Sequence, residues 1–269
     1  MAEGSKLATL REYISSLGSA AVAFSGGVDS TFLLKVAHDV LGSDKVLAVT
    51  IDSTFVPARE LDESKAFCES NNIPHTVIHV DELSIPGIKE NPPNRCYLCK
   101  KALFTKILEV AHANNLAHVL EGSNLDDLGD YRPGLQAIDE LGIKSPLRFA
   151  GLTKAEIRKF SWELGLKTWD KPSFACLASR FVYGEVLTEK KLRLVERSEQ
   201  VLLDLGFRQF RVRIHGSDLA RIELLPEDFA KILEVKTRTK IYDALKSLGF
   251  VYIALDLKGY RTGSMNETI

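Results

Sequence analysis

A glycine turn between a strand signal and a helix signal constrains this chain more than any other feature. The turn is SGGVDS, residues 25–30; the apolar run 20–24 precedes it and the helical pattern 31–37 follows it. A strand that ends this way leads directly into a helix N-terminus, where backbone N–H groups and the helix dipole favour an anion. Gly26 and Gly27 allow the backbone to approach phosphate oxygens closely. The turn therefore predicts a phosphate-binding site.

One position of the turn indicates which phosphate chemistry to expect. A Walker-type loop has a lysine where this chain has Asp29. A carboxylate beside a triphosphate is repulsive unless a cation lies between them, so Asp29 is predicted to be a ligand of Mg²⁺. The pattern resembles that of the PP-loop ATP pyrophosphatases, which split ATP between the α and β phosphates and leave AMP on an oxygen of the substrate.

Strand and helix signals alternate from Ala20 to about Trp162. The alternation predicts an α/β fold with a parallel, doubly wound sheet of the PP-loop (adenine nucleotide alpha hydrolase-like) type over residues 1–170. Ligands of such sheets bind at the carboxyl ends of the strands. We therefore expect the adenine near residues 51–53, and we expect the loop after Glu121 to join the same crevice.

The C-terminal part follows a different pattern. A helix, a Gly-Phe pair and a strand occur in that order twice, around Gly206 and around Gly249. With a hairpin at residues 215–218, this pattern predicts a small α+β substrate-binding domain over residues 180–269.

Two arginines of that part are candidates for anion recognition. Arg211 and Arg213 alternate with apolar residues, so they share one face of a strand and suit fork-like recognition of phosphate or carboxylate. The alternative is an exposed basic strand face. Glu199 and Asp228 are either partners of these arginines or surface charges.

Bulk properties exclude several classes of protein. The 269 residues carry a formal net charge of −1, which gives no basic field for nucleic acid. No apolar run has the length of a membrane span, and the N-terminus lacks the order of a signal peptide. We expect a cytoplasmic protein with neither a nucleic acid nor a membrane as partner. Its four cysteines are then expected to be reduced, metal-bound or reactive.

Three cysteines have the setting of metal ligands. Cys96 and Cys99 are predicted in the first turn of a helix, on one face and beside cationic residues that favour thiolates. Cys176 is predicted in a loop near the domain boundary. Three thiolates would leave one iron of a [4Fe–4S] cluster open. A structural zinc and an incidental CxxC are the alternatives, whereas Cys68 is predicted to be a core residue.

Several segments together resemble the LarE family, over nearly the whole chain. They are SGGVDS at 25–30, the loop 122–127 with DYRPG at 130–134, Cys176 before SRF at 179–181, YG at 183–184, RVR at 211–213, and residues 255–263. This family makes the sulfur-bearing ligand of the nickel-pincer nucleotide cofactor of lactate racemase.

The resemblance implies an ATP-dependent sulfurtransferase. Such an enzyme adenylates the carboxylates of pyridinium-3,5-dicarboxylate mononucleotide and converts them to thiocarboxylates. In members with one active-site cysteine, the residue at the position of Cys176 gives up its own sulfur. Those members lack the CxxC, so Cys96 and Cys99 favour the type in which three cysteines hold a [4Fe–4S] cluster that carries the sulfide.

Alternatives to this assignment are the same reaction with a sacrificial Cys176, a PP-loop enzyme that thiolates tRNA, and an ATP-binding regulatory module without turnover. The expected cofactors are ATP, Mg²⁺ and the cluster, and the expected partners are the mononucleotide, a sulfide source and further copies of the chain. The predicted catalytic residues are Cys176, Asp29, Arg211 and Arg213. The predicted ATP ligands are Ser25, Gly26, Gly27, Asp29, Ser30, Ser53, Gly122 and Asp126. The predicted substrate ligands are Ser179, Arg180, Arg211, Arg213 and Asp228, and the metal ligands are Cys96, Cys99 and Cys176.

Overall fold

The chain forms two compact units in the computed structural model, which describes residues 3–129, 133–216, 218–261 and 263–264. The first unit comprises residues 1–80 and 96–173, and the second comprises residues 81–95 and 174–269. Residues 130–132 of the DYRPG segment, Ser217 of the predicted hairpin and Thr262 lie outside the described residues.

The first unit contains a parallel four-stranded sheet in the order β3-β2-β1-β4. The strands are β1 (Ala20–Ala23), β2 (Val46–Asp52), β3 (His75–His79) and β4 (His118–Leu120). The helices are α1 (Glu3–Leu17), α2 (Val28–Leu41), α3 (Ala58–Ser70), α4 (Arg95–Ala113), α5 (Pro133–Glu140), α6 (Pro146–Phe149) and α7 (Lys154–Glu163). The predicted parallel α/β sheet is confirmed.

Both faces of this sheet are covered, because neighbouring residues of a strand point to opposite faces. Ala20 and Val22 of β1 belong to the apolar cluster that contains residues of α1, α2 and α7. Ala21, between them, belongs to the cluster that contains Phe104 of α4 and Ile138 of α5. The central strand β1 is therefore apolar on both of its faces.

The second unit contains a mixed three-stranded sheet in the order β5-β6-β7. Its strands are β5 (Phe210–His215), β6 (Leu219–Leu224) and β7 (Tyr252–Leu255), and its helices are α8 (Glu189–Asp204), α9 (Phe229–Leu233) and α10 (Val235–Leu248). Strands β5 and β6 are antiparallel, as the predicted hairpin requires, and β7 is parallel to β6. The predicted small C-terminal α+β part is confirmed.

Residues 81–95 group with the second unit, although the sequence analysis placed them in the first domain. Backbone hydrogen bonds attach them to a segment far away in sequence: Leu187 N donates to Lys89 O over 2.8 Å, and Gly184 N donates to Asn91 O over 2.9 Å. The Asn91 side chain also donates to Val182 O over 2.8 Å. Such long-range pairing leaves no local signal in a sequence.

Among the residues that the structure describes, no helix is both long enough and apolar enough to cross a membrane.

Candidate functional site

The loop between β1 and α2 contains a turn that favours a glycine. Gly26 has a φ of 71°, in the left-handed region that favours glycine, and a Cβ there would lie 2.7 Å from Ser64 Oγ. The hydroxyl oxygens of Ser25 and Ser30 are 3.1 Å apart, and the Ser30 hydroxyl donates to Gly27 O over 3.2 Å. The loop therefore leads into the first turn of α2, as the sequence predicts.

Asp29, in the first turn of α2, forms an ion pair with Lys154, the first residue of α7. Asn124, which follows β4, also donates its side-chain amide to the Asp29 carboxylate over 3.3 Å. The Lys154 and Asp29 side chains are 30% and 24% exposed. The ends of β1 and β4 therefore meet at one polar, partly open place.

The loop after β4 is tied to the same place. A Cβ on Gly122 would lie 3.1 Å from Ser30 N, so this position packs closely against the start of α2. Asp126 is exposed, and its carboxylate accepts a hydrogen bond from the Lys154 backbone N over 2.8 Å. Asp126 therefore fixes the first turn of α7, and ATP binding by Asp126 stays a prediction.

Ser53 lies just after β2, the strand that pairs with β1. The side chain is buried and accepts a hydrogen bond from Phe55 N over 3.1 Å. Because β1 and β2 are parallel, the turn after β2 lies at the same edge of the sheet as the PP-loop.

A second lysine, Lys171, supports the loop from the other side. Its ammonium group donates to Gly26 O over 3.0 Å and to the carboxylates of Glu60 and Glu63 over 2.7 Å and 2.6 Å. Arg158 in turn donates to the Lys171 carbonyl over 2.9 Å. These contacts fix the direction of the Gly26 peptide group.

The cysteines divide between the two units. Cys96 and Cys99 lie in the first turn of α4, in the first unit, and both are half-buried. Cys176, half-buried as well, precedes a short 3₁₀ helix (Leu177–Arg180) of the second unit. Across the part of the chain that the structure describes, no group of three or more His, Cys, Asp or Glu side chains is arranged to hold a metal ion. Burial, and secondarily Glu69, raises the pKa of Cys68 to about 12, as suits a core thiol.

Arg180 holds the backbone around Cys176. Its guanidinium is fully buried and makes two hydrogen bonds to Glu199, over 2.9 Å and 2.8 Å. The remaining terminal nitrogen donates to the carbonyls of Ala175 and Cys176, over 2.5 Å and 3.0 Å. Because this guanidinium is directed at protein acceptors, it positions the Cys176 loop, and substrate binding by Arg180 stays a prediction.

The charge of Glu199 is stabilised by that contact. Burial, the largest single influence, would raise the pKa of Glu199, but the charge and hydrogen bonding of Arg180, the charge of Arg211 and the hydrogen bond from Val212 N together lower it. Glu199 is therefore a buried partner and not a surface charge. Asp228 is half-buried in the 3₁₀ turn Pro226–Asp228, and its contact with the substrate stays a prediction.

Arg211 is buried, which excludes the exposed basic strand face for this residue. Its guanidinium lies 5.6 Å from the ring centre of Phe174 and 5.1 Å from that of Tyr260. Burial, and next the charge of Arg180, lowers the pKa of Arg211 to about 10.

Arg213 is buried too. It pairs with Glu223 on β6 over 2.8 Å and donates to Ser179 O over 2.8 Å. The alternative of an exposed basic strand face is therefore wrong for both arginines. The compensating carboxylates come from other elements: Glu199 of α8 was one of the partners that the sequence suggested, whereas Glu223 of β6 was not foreseen.

Comparisons with known proteins assign the fold and the family. The NAD synthase family model matches residues 5–91. An uncharacterised protein of Synechocystis sp. is 42% identical over 98% of each chain. The pyridinium-3,5-bisthiocarboxylic acid mononucleotide synthase of Lactiplantibacillus plantarum is 41% identical over 98% of this chain and 95% of its own length. The chain belongs to the LarE family.

Membership of the LarE family confirms the predicted resemblance and the PP-loop fold. A more distant relative, an uncharacterised protein of Methanocaldococcus jannaschii, is 30% identical over 90% of each chain. The similarity therefore extends over both units and not over the PP-loop alone.

Two lysines of this LarE-family site were missed in the sequence. Lys154 and Asp29 are 125 residues apart, and Lys171 reaches Gly26 over 145 residues. The segment TKAE at 153–156 did carry a local signal, because Thr153 and Glu156 form a capping box that fixes the start of α7. That signal marks the helix but not the partner of Lys154.

Proposed function

We propose that this chain is an ATP-dependent sulfurtransferase that converts the carboxylates of pyridinium-3,5-dicarboxylate mononucleotide to thiocarboxylates. The observation that carries the proposal is the 41% identity, over 98% of the chain, with the relative named pyridinium-3,5-bisthiocarboxylic acid mononucleotide synthase. The loop at residues 25–30 and the polar side chains around it support the ATP-dependent half of the reaction.

The first step is adenylation. A substrate carboxylate oxygen attacks the α-phosphorus of ATP, the bond to the β-phosphate bridging oxygen breaks, and pyrophosphate leaves. Backbone N–H groups at the start of α2 and the hydroxyls of Ser25 and Ser30 would hold the phosphates and stabilise the developing charge. The predicted adenine contacts at residues 51–53 and the predicted roles of Gly122 and Asp126 belong to the same step.

The donor set at Asp29 fits a hard cation. Mg²⁺ is usually held by one or two carboxylates together with the phosphates of the nucleotide. Asp29 is partly exposed beside the PP-loop, and its carboxylate oxygens are ligands of the required kind. When bound, Mg²⁺ would neutralise charge on the leaving pyrophosphate.

The second step exchanges AMP for sulfur. A sulfur nucleophile attacks the activated acyl carbon, the bond to the AMP oxygen breaks, and a thiocarboxylate remains. We propose that Cys96, Cys99 and Cys176 hold a [4Fe–4S] cluster, which would supply a sulfide at its remaining iron. Soft thiolate ligands fit iron–sulfur chemistry.

The arginines of the second unit are proposed to bind the mononucleotide phosphate, with Ser179, Arg180 and Asp228. Arg213 supports this role, since its buried Nε–H has no hydrogen-bond acceptor among the described residues. A phosphate oxygen would satisfy that donor. A net charge of −1 favours a small-molecule substrate over tRNA. An external sulfide source and assembly of several copies complete the proposal.

Pyrophosphate release tests the first step. Protein purified without oxygen is given ATP and Mg²⁺, with and without the mononucleotide, and pyrophosphate is measured. We expect release that depends on the mononucleotide and that is abolished by Asp29→Ala. The matched control is Asp39→Ala on the same helix, which removes an exposed carboxylate paired with Lys35 and should release pyrophosphate like the wild type. Near-normal pyrophosphate release by Asp29→Ala would refute the ATP site at this residue. Equal pyrophosphate release without the mononucleotide would refute the mononucleotide as the substrate.

Iron content and chain mass test the second step. We expect about four irons per chain, as a cubane cluster requires, and an unchanged mass after turnover. Cys96→Ala, Cys99→Ala and Cys176→Ala should each lose both iron and activity, while Cys68→Ala should keep its iron. An iron-free, active protein that loses the mass of H₂S would instead identify Cys176 as a sacrificial donor.

A further inference from the structure

We propose that the ammonium group of Lys154 takes the place of the metal ion at Asp29 when no nucleotide is bound, and moves to an ATP phosphate when the metal arrives. The proposal rests on the proposed ATP chemistry at the loop of residues 25–30. It assigns a role to a residue that the sequence analysis did not identify. It also explains why the predicted metal ligand, Asp29, is paired with a cation of the protein.

The backbone of Lys154 is held in place while its side chain reaches out. Thr153 and Glu156 form a reciprocal capping box at the start of α7, and Asp126 accepts from Lys154 N over 2.8 Å. From this fixed origin the ammonium group extends to the Asp29 carboxylate. Lys154 therefore has a fixed backbone and a partly exposed side chain, as we expect of a group that exchanges between two ligands.

The surroundings of Asp29 favour exchange over a permanent ion pair. The side chains of Lys154 and Asp29 are 30% and 24% exposed, and pairs with this much exposure are weak. Asn124 donates to the other carboxylate oxygen over 3.3 Å, which can keep Asp29 oriented after the ammonium group leaves. Asp126 and Asp127 are the neighbouring acids of the loop, and both accept backbone N–H groups of that loop or of α7.

Lys171 shows what a fixed lysine looks like at the same loop. Its ammonium group is held by two carboxylates, Glu60 and Glu63, and by the Gly26 carbonyl. Its side chain is 14% exposed, half as much as that of Lys154. Of these two lysines, Lys154 therefore has the lower free-energy cost for moving its ammonium group from its present partner to a phosphate.

The exchange makes two opposite predictions for one variant. Without the ammonium group, Asp29 loses its competitor, so Lys154→Met should bind Mn²⁺ alone about 10-fold more tightly than the wild type. The same variant lacks a phosphate ligand, so it should bind Mg²⁺–ATP about 10-fold more weakly. A lysine that only supported the fold would not move the two affinities in opposite directions.

Mn²⁺ titration followed by electron paramagnetic resonance, and calorimetric titration with Mg²⁺–ATP, measure these affinities on the full chain. Lys154→Gln serves as a second variant, and Lys154→Arg should retain most of the ATP affinity because it keeps the charge. Lys35→Met is the matched control, because Lys35 pairs with Asp39 on α2, away from the loop, and it should change neither affinity. Circular dichroism confirms that each variant is folded.

Tighter Mn²⁺ binding and weaker ATP binding in both neutral variants would support the exchange. Mn²⁺ affinity equal to that of the wild type in either folded variant would overturn it, as would unchanged ATP affinity. Neither readout needs the mononucleotide or sulfur. If ATP affinities behave as expected but no pyrophosphate is released with the mononucleotide, the proposed function fails and the exchange stands. If pyrophosphate release is normal but the variants do not change the affinities for Mn²⁺ and Mg²⁺–ATP, the exchange fails and the proposed function stands.

Discussion

The two units use ion pairs in opposite ways. In the first unit, the pair of Lys154 and Asp29 is partly exposed, beside the glycine loop of residues 25–30. In the second unit, the pair of Arg180 and Glu199 is fully buried, and the same guanidinium holds the backbone carbonyls of the Cys176 loop. The two pairs differ in burial, and we expect a ligand to displace the exposed charge but not the buried one.

The physical basis is the cost of leaving a partner alone. A charge exposed to water recovers its solvation when its partner moves away, so the exchange is inexpensive. A buried guanidinium without its carboxylate cannot do so, because the solvation that it lost on folding is not returned. We therefore expect the arginines of the second unit to hold the scaffold, and a substrate phosphate would supply the acceptor that the Nε–H of Arg213 lacks among the described residues.

Glu199→Ala gives the largest expected effect on this contrast. The variant leaves the Arg180 charge buried without its partner, so the free energy of unfolding of the second unit should fall by about 3–5 kcal/mol. Denaturant unfolding measures this change. The matched control is Glu189→Ala on the same helix, whose carboxylate is 66% exposed and lies 3.9 Å from Arg193; its change should be about 0.5 kcal/mol or less. Equal losses of unfolding free energy in the two variants would contradict the claim that the buried ion pair stabilises the unit more than the exposed one.

Gly26→Ala is expected to have a smaller effect on stability but a specific effect on ATP. A residue with a Cβ at a φ of 71° loses about 1–2 kcal/mol, and the Cβ would also press on Ser64 Oγ at 2.7 Å. Gly18→Ala is the control, because its φ is 74° and no atom lies within 4 Å of the added Cβ. Both variants should lose stability, but only Gly26→Ala should weaken ATP binding in calorimetry. Equal ATP affinities in the two variants would show that ATP binding does not depend on the conformation of the loop at Gly26.

Acid should destabilise the second unit gradually. Burial would raise the pKa of Glu199, but Arg180, Arg211 and the hydrogen bond from Val212 N together lower it in the folded state. The resulting stability is present above the pKa of an unfolded glutamate and is lost as the pH falls through the lower, folded value. The loss is at most about 1.4 kcal/mol per pH unit for one proton. We measure the free energy of unfolding of both proteins from pH 6 downward. It should fall more steeply with decreasing pH in the wild type than in Glu199→Gln, which lacks the contribution of this carboxylate. Identical slopes would contradict the lowered pKa of Glu199.

The sequence predicted the part of the site that is local in the chain. The strand, turn and helix around residues 25–30 carry their own apolar and glycine signals, and the structure has β1 and α2 on either side of them. The partners of Asp29 and Gly26 could not be predicted, because Lys154 and Lys171 are more than one hundred residues away. A single lysine in a sequence carries no pattern that identifies such a partner.

The second unit shows the same limit for buried charges. The alternation of Arg211 and Arg213 with apolar residues predicted a strand and a shared face, and β5 confirms the strand. It could not predict that the arginines are buried, because the compensating carboxylate of Glu223 belongs to the neighbouring strand and that of Glu199 to α8. The residue pattern of one strand does not show which charged side chains of neighbouring elements contact that strand.

Hydrogen exchange, resolved by peptide, with and without saturating Mg²⁺–ATP, tests the contrast between the units most directly. At a ligand concentration of about 100 times Kd, binding should add about 2.7 kcal/mol to the protection of peptides from β1 and α2 in the wild type. Glu199→Gln should gain the same protection there, although peptides around Cys176 and β5 start from a lower baseline. Asp29→Asn should keep the wild-type baseline and gain almost nothing. Lost ATP protection in Glu199→Gln together with full protection in Asp29→Asn would contradict the account.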